Sequence, residues 1–141
     1  MPSRRSKPLS PTVITRLLET ASRVRERAHA PYSRFKVGAA VLTRSGAIHA
    51  GCNVENASYG LTLCAERAAI AAAVAAGEPD VVAVAVVTGA DQPAPPCGAC
   101  LQTLIELADP GAPVILATAR GKRARYRLRD LMPHAFVRKY L

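Results

Sequence analysis

The segment Val81-Val82-Ala83-Val84-Ala85-Val86-Val87-Thr88 narrows the choice of fold more than any other part of the chain. β-Branched residues and alanine run through it with no polar position before Thr88. Such a strand has no side to show to water and is expected where a sheet is covered on both faces. Val114 to Thr118 repeats the pattern on a smaller scale. Two buried strands need helices above and below them, and the rest of the chain supplies these.

Ser10-Pro11 has the form of a helix start, with a hydroxyl at the cap and proline in the first turn. Val13, Ile14, Leu17, Leu18, Ala21 and Val24 then recur at helical spacing, and Pro31-Tyr32 is expected to end that helix. Lys36 to Thr43 and Ala47 to Asn53 read as a hairpin turning at Ser45-Gly46. Leu63 to Ala76 is an alanine-rich helix stopped by Gly77 and Pro79. Gly98 to Ala108 reads as a helix and Asp109-Pro110-Gly111 as a turn. Arg125 to Leu128 is expected as an edge strand and Arg129 to Met132 as a short helix. The order is α-β-β-α-β-α-β with further elements, an α/β class with a mixed sheet covered by helices.

At 141 residues the chain suits one domain, expected over 11–141 behind a disordered basic tail at 1–10. The apolar stretch from Ala68 to Ala90 is broken by Gly77-Glu78-Pro79-Asp80, which excludes a helical membrane span there. No apolar segment follows the basic start, so no signal peptide is expected and a cytoplasmic location is. The net charge of +9 lies at the ends: Arg4, Arg5 and Lys7 at the start, and eight Lys/Arg against Asp130 over 120–141. Four Tyr, two Phe and no Trp leave little to stack on bases, so nucleic acid is not the expected partner.

Three of the four cysteines fall in two fragments, Cys64-Ala65-Glu66 and Pro96-Cys97-Gly98-Ala99-Cys100. The C-x-x-C spacing lets Cys97 and Cys100 reach one tetrahedral zinc, and Cys64 offers a third thiolate. A redox pair would not explain a third cysteine followed by Glu. A closed structural site would need Cys52, His29, His49 or His134 as fourth ligand; Cys52, near the end of a strand, reads as a small buried cysteine, and no histidine has a partner at metal-ligand spacing. An open position beside Glu66 is the favoured reading, with the carboxylate placed to handle the protons of a water. Both fragments lie at helix starts, where free N–H groups stabilise thiolates. Three thiolates overbalance Zn²⁺, and Arg67 is the candidate cation to offset them.

These fragments match the three-cysteine form of the nucleobase-deaminase signature. Ala30 to Ala40 (Ala-Pro-Tyr-Ser-Arg-Phe-Lys-Val-Gly-Ala-Ala), Gly51 to Gly60 (Gly-Cys-Asn-Val-Glu-Asn-Ala-Ser-Tyr-Gly), Cys64-Ala65-Glu66-Arg67 and Leu131 to Phe136 also resemble the small homotetrameric cytidine deaminases, in order from about residue 13 to 137. The resemblance implies a three-layer α-β-α sandwich on a mixed five-stranded sheet. It implies Zn²⁺ on Cys64, Cys97 and Cys100, making a water acidic, and Glu66 as the catalytic proton carrier. It implies a free nucleoside substrate, cytidine or 2′-deoxycytidine, in pyrimidine salvage. Asn53 and Glu55 would then hold the ribose hydroxyl, Phe35 the pyrimidine, and backbone groups of Ala65 the base edge. Tyr59 and Phe136 would reach a neighbouring subunit's site in a homotetramer. A modified or antibiotic nucleoside, cytosine within RNA or DNA, and a silent zinc-binding module are the alternatives. The family usually follows its last zinc cysteine with Arg-Gln. Here Leu101-Gln102 follows Cys100, so a positive group expected near the thiolates or a subunit contact is missing.

Overall fold

The computed structural model describes residues 8–141, and the tail expected over 1–10 falls outside the described residues for 1–7. Leu9 packs on the core and the Ser10 hydroxyl accepts from Val13 N at 3.2 Å. The boundary expected after residue 10 therefore lies within a packed segment.

Helix α1 (Pro11–Arg25) leads to strands β1 (Val37–Thr43) and β2 (Ile48–Cys52). Helix α2 (Ala65–Ala75), strand β3 (Val81–Thr88), helix α3 (Gly98–Leu107) and strand β4 (Pro113–Thr118) follow. Strand β5 (Arg123–Arg127) and helix α4 (Leu128–Leu131) complete the fold, with single 3-10 turns at Tyr59–Leu61 and Arg138–Tyr140. The sheet order is β2-β1-β3-β4-β5. Only β3 and β4 run parallel among its neighbours, so the sheet is mixed and five-stranded as expected.

Alternation along the strands divides the core in two. Ala39, Val41, Val84, Val86, Val114 and Leu116 face α2 and α3, while Ala40, Leu42, Ala83, Ala85, Val87 and Ile115 face α1. Each strand thus serves both layers, which is why β3 carries no polar side. Two glycines set how closely the helices approach. A Cβ on Gly38 would lie 1.9 Å from Ala21 O of α1, and one on Gly51 would lie 2.3 Å from Ala69 N of α2.

The first helix stops at Arg25, not at Pro31. The Glu26 N–H turns back to Arg23 O at 3.3 Å, and the Arg25 guanidinium (Nε) donates to Lys36 O at 2.9 Å, drawing the chain toward β1. Arg34 takes a left-handed conformation (φ 57°) in that connection. Strand β5 starts two residues earlier than expected because Thr118 N bonds Lys122 O at 2.9 Å across a turn that Gly121 makes with φ 97°.

Candidate active site and metal centre

Helices α2 and α3 begin on the cysteines: Cys64 caps the first and Cys97 the second, both with extended backbone. Neither thiol is spent on capping its own helix. Cys100 follows one turn into α3 and is fully buried. The three sulfurs lie within 4.8 Å of one another, with Cys64 Sγ and Cys97 Sγ 3.9 Å apart. Two thiolates each about 2.3 Å from a tetrahedral ion are about 3.8 Å apart, so this donor set fits zinc. Cys52 and the three histidines stay out of the cluster. His49 bonds Glu78 at 2.8 Å, and Cys52 is half-buried, less enclosed than its expected role as a buried small residue.

Electrostatics favour the same use. A hydrogen bond from Cys100 draws the Cys64 thiol down to about 5, helped by Arg67. The same bond holds Cys100 far above the usual thiol range, reinforced by burial and the Glu66 charge. Of these two, Cys64 is therefore the sulfur that ionises first. Arg67 Nη2 donates to Cys64 Sγ and to Thr62 O, each at 3.4 Å. Its Nε is buried with no hydrogen-bond partner. A partly buried cation bonded to one of the sulfurs suits a site whose ligands carry one negative charge more than the metal can balance.

Glu66, in the first turn of α2, is 5% exposed. Burial raises its proton affinity, and Cys100 Sγ lies 3.6 Å from Oε2. The carboxylate lines a cavity of about 270 Å³, together with Cys64, Cys97, Ala65, Phe35, Asn53 and Glu55. Cysteines from two helices and candidate nucleoside contacts from the β1–β2 side thus share one space. Tyr59 and Phe136 do not line it. Tyr59 is exposed and meets Tyr32 edge-on at 5.9 Å, and Phe136 is exposed and stacks on Tyr140 at 5.9 Å.

Two of these residues are already engaged. Asn53 Oδ1 accepts from Val37 N and Nδ2 donates to Phe35 O, both at 2.8 Å. One donor and one lone pair of the amide remain for another partner. Glu55 accepts from the backbone of Tyr32 and Ser33 and from the Ser33 hydroxyl. The Ser33 hydroxyl is the leading cause that lowers its pKa and keeps it charged. Sequence reasoning singled out neither Ser33 nor Thr62 and Thr88, which also line the cavity. Ser33 lies inside the matched Pro-Tyr-Ser fragment, and Thr88 is the polar end of an apolar strand, so both left a signal.

Leu101 is 7% exposed and belongs to the core between α2, α3 and the sheet. It fills apolar space. The nearby positive charge comes from Arg67 alone among the described side chains bonded to the sulfurs.

Residues 11–116 match the family model described as the cytidine and deoxycytidylate deaminase zinc-binding region. The chain belongs to this deaminase family. A cytidine deaminase of Halalkalibacterium halodurans is 48% identical over 121 residues, 86% of this chain and 92% of that protein. A crystal structure of cytidine deaminase from Burkholderia pseudomallei superposes with a TM-score of 0.83 at 49% identity, covering 86% of this chain and 98% of that one. One from Mycobacterium tuberculosis gives 0.76 at 40% identity, covering 88% and 97%. The sandwich that the resemblance implies is the fold of these deaminases. The family's zinc-binding region contains Cys64, Cys97 and Cys100, and Zn²⁺ is the cofactor their cluster fits.

Proposed function

We propose that this deaminase hydrolyses free cytidine and 2′-deoxycytidine, giving uridine or 2′-deoxyuridine and ammonia. The observation that carries the reading is the buried Glu66 carboxylate, which opens into the cavity that Cys64 and Cys97 also line. Cys64, Cys97 and Cys100 would hold the zinc, with Arg67 offsetting their charge. When bound, zinc acts as a Lewis acid that brings the ionisation of a water near neutral pH.

Glu66 does the proton work. It accepts the proton of the attacking water and delivers it to N3 of the cytosine ring, which leaves C4 electrophilic. A second proton passes through the same carboxylate to the exocyclic amino group. That group leaves as ammonia, and the water's oxygen stays on C4. Burial suits the task, because a dry carboxylate holds a proton more readily than an exposed one. Phe35 covers the ring, backbone groups of Ala65 meet the base edge, and the spare capacity of Asn53 with charged Glu55 takes the ribose hydroxyl. A cavity of about 270 Å³ suits a small ligand and not a folded polymer.

The wider reading is a homotetramer in which Tyr59 and Phe136 complete neighbouring sites, acting in pyrimidine salvage in the cytoplasm. Their exposure at 75% and 61% supports the subunit contact. No helix among the described residues is long and apolar enough to cross a membrane. The direct test is the absorbance change of cytidine and deoxycytidine mixed with zinc-loaded protein. Conversion of either with release of ammonia is expected. Zinc-loaded, folded protein that converts neither nucleoside would overturn the reading.

A further inference from the structure

Strand β5 reads Arg123-Ala124-Arg125-Tyr126-Arg127 and lies at the edge of the sheet. Its register pairs Arg125 with Ile115, whose side chain is on the α1 side of the sheet, and Arg123 with Ala117. Arg123, Arg125 and Arg127 therefore share that side, while Ala124 and Tyr126 fall on the other. Helix α1 packs on β1, β2 and β3, leaving the arginine edge outside its cover. All three arginines are exposed, as are Arg120 and Lys122 in the turn leading to β5.

None of the five is in an ion pair; among the described residues the salt bridges involve Arg25, Arg44 and His49. Residues 1–7 contain no Asp or Glu that could serve as a partner. An edge strand is protected from pairing with another copy by charge on the strand itself. That need does not explain three arginines in one row, continued by two more cations around the turn.

The row also has a direction. Arg123 lies at the end of the sheet where Thr118 pairs with Thr88, a wall residue of the cavity, and Ala119 N bonds Thr88 O at 2.8 Å. Successive same-side residues on a strand are about 6.8 Å apart, so the three arginines span about 14 Å. One strand of a duplex presents about four phosphates over that length, at about 3.4 Å per phosphate along the axis.

We propose that this edge is a docking surface for double-helical nucleic acid, held through its phosphates and without reading its sequence. Within β5 the one aromatic side chain, Tyr126, faces away from the arginines, which points to backbone contact and away from base stacking. The surface is separate from the deaminase cavity and stands or falls apart from the cytidine reading.

The experiment is fluorescence anisotropy of a labelled 20-base-pair DNA duplex titrated with full-length protein across a series of salt concentrations. Binding is expected to weaken steeply with salt. The triple variant Arg123→Gln, Arg125→Gln, Arg127→Gln should lower the magnitude of the log–log slope by about 2.7, which is 0.9 for each phosphate no longer neutralised. Lysine at the same three positions should keep most of the slope. Circular dichroism and the thermal midpoint, read on the same samples, should be unchanged and report that both variants fold. Four results would each overturn the proposal: no duplex binding at low salt, an unchanged slope in the glutamine variant, tighter binding of a single strand than of the duplex, or arginine-dependent binding to anionic vesicles without duplex binding.

Discussion

Replacing Gly51 with alanine should damage stability and catalysis together, through one contact. The new Cβ would lie 2.3 Å from Ala69 N, 2.6 Å from Ala65 O and 2.8 Å from Ala68 C, all backbone atoms of α2. Ordinary contact begins at 3.4 Å, so the helix must retreat by about 1 Å or β2 must bend. Neither is a soft side chain that can swing aside. Overpacking of this kind costs about 1–3 kcal/mol, and a rigid backbone neighbour places the change near the upper end. At about 3 °C per kcal/mol for a chain of this size, the thermal midpoint should drop by about 10 °C. Ala65 lies between Cys64 and Glu66, so the same movement displaces the proposed zinc ligand and the proposed proton carrier. A 1 Å misplacement near the chemistry costs about 10²-fold in rate. The assay is a thermal melt with cytidine turnover and zinc content measured on one preparation. Gly60→Ala is the control, because its Cβ would meet nothing within 4 Å. If Gly51→Ala melts and turns over like wild type while zinc stays bound, the close approach of β2 to α2 does not set the site's geometry.

Glu66→Gln should keep zinc, measured by metal analysis, and lose about 10²–10⁴-fold in kcat, the usual scale of a general acid–base group. Asn53→Ala removes the partners of Val37 N and Phe35 O, and denaturant unfolding should show a loss of about 1–3 kcal/mol for each group left bare. Leu101→Arg places a guanidinium in the α2–α3 core, and a loss of about 3 kcal/mol or more is expected from the same measurement. Glu78 is held down to about 2 by His49 first, then by Ser45 and Thr43. Its folded value is depressed, so its contribution is complete above the ordinary value of 4.5 and is lost as pH falls toward 2. Comparing melts of wild type and Glu78→Gln across that window should show the two converging at the acid end.

The parts of this molecule that depend on local pattern were legible in the chain. The run from Val81 to Thr88 is a strand with both faces buried, and Ser10-Pro11 opens α1. Cys64 and Cys97 cap α2 and α3, so spacing along the chain became proximity in space. What stayed hidden depends on contacts between distant segments. The hydroxyl of Ser33 serves Glu55 from 22 residues away, and the Arg25 guanidinium reaches Lys36 O from 11. No periodicity encodes either. Leu101 shows the reverse difficulty: beside Cys100 in sequence it looked like a missing cation, yet its place on α3 turns it into the apolar core. Helical geometry sends neighbours along the chain in different directions.

The Asn53 amide ties Val37 and Phe35 to the end of β2, whereas the sulfur cluster hangs from the starts of α2 and α3. The cavity is thus assembled from two walls that meet where β2 packs on α2. Changes at Phe35, Asn53 or Glu55 can reshape what is admitted while the sulfurs keep their places, provided Gly51 stays against α2. For an engineer the order of work follows: new ligands are sought on the first wall, while the second is left untouched as the proposed reaction centre.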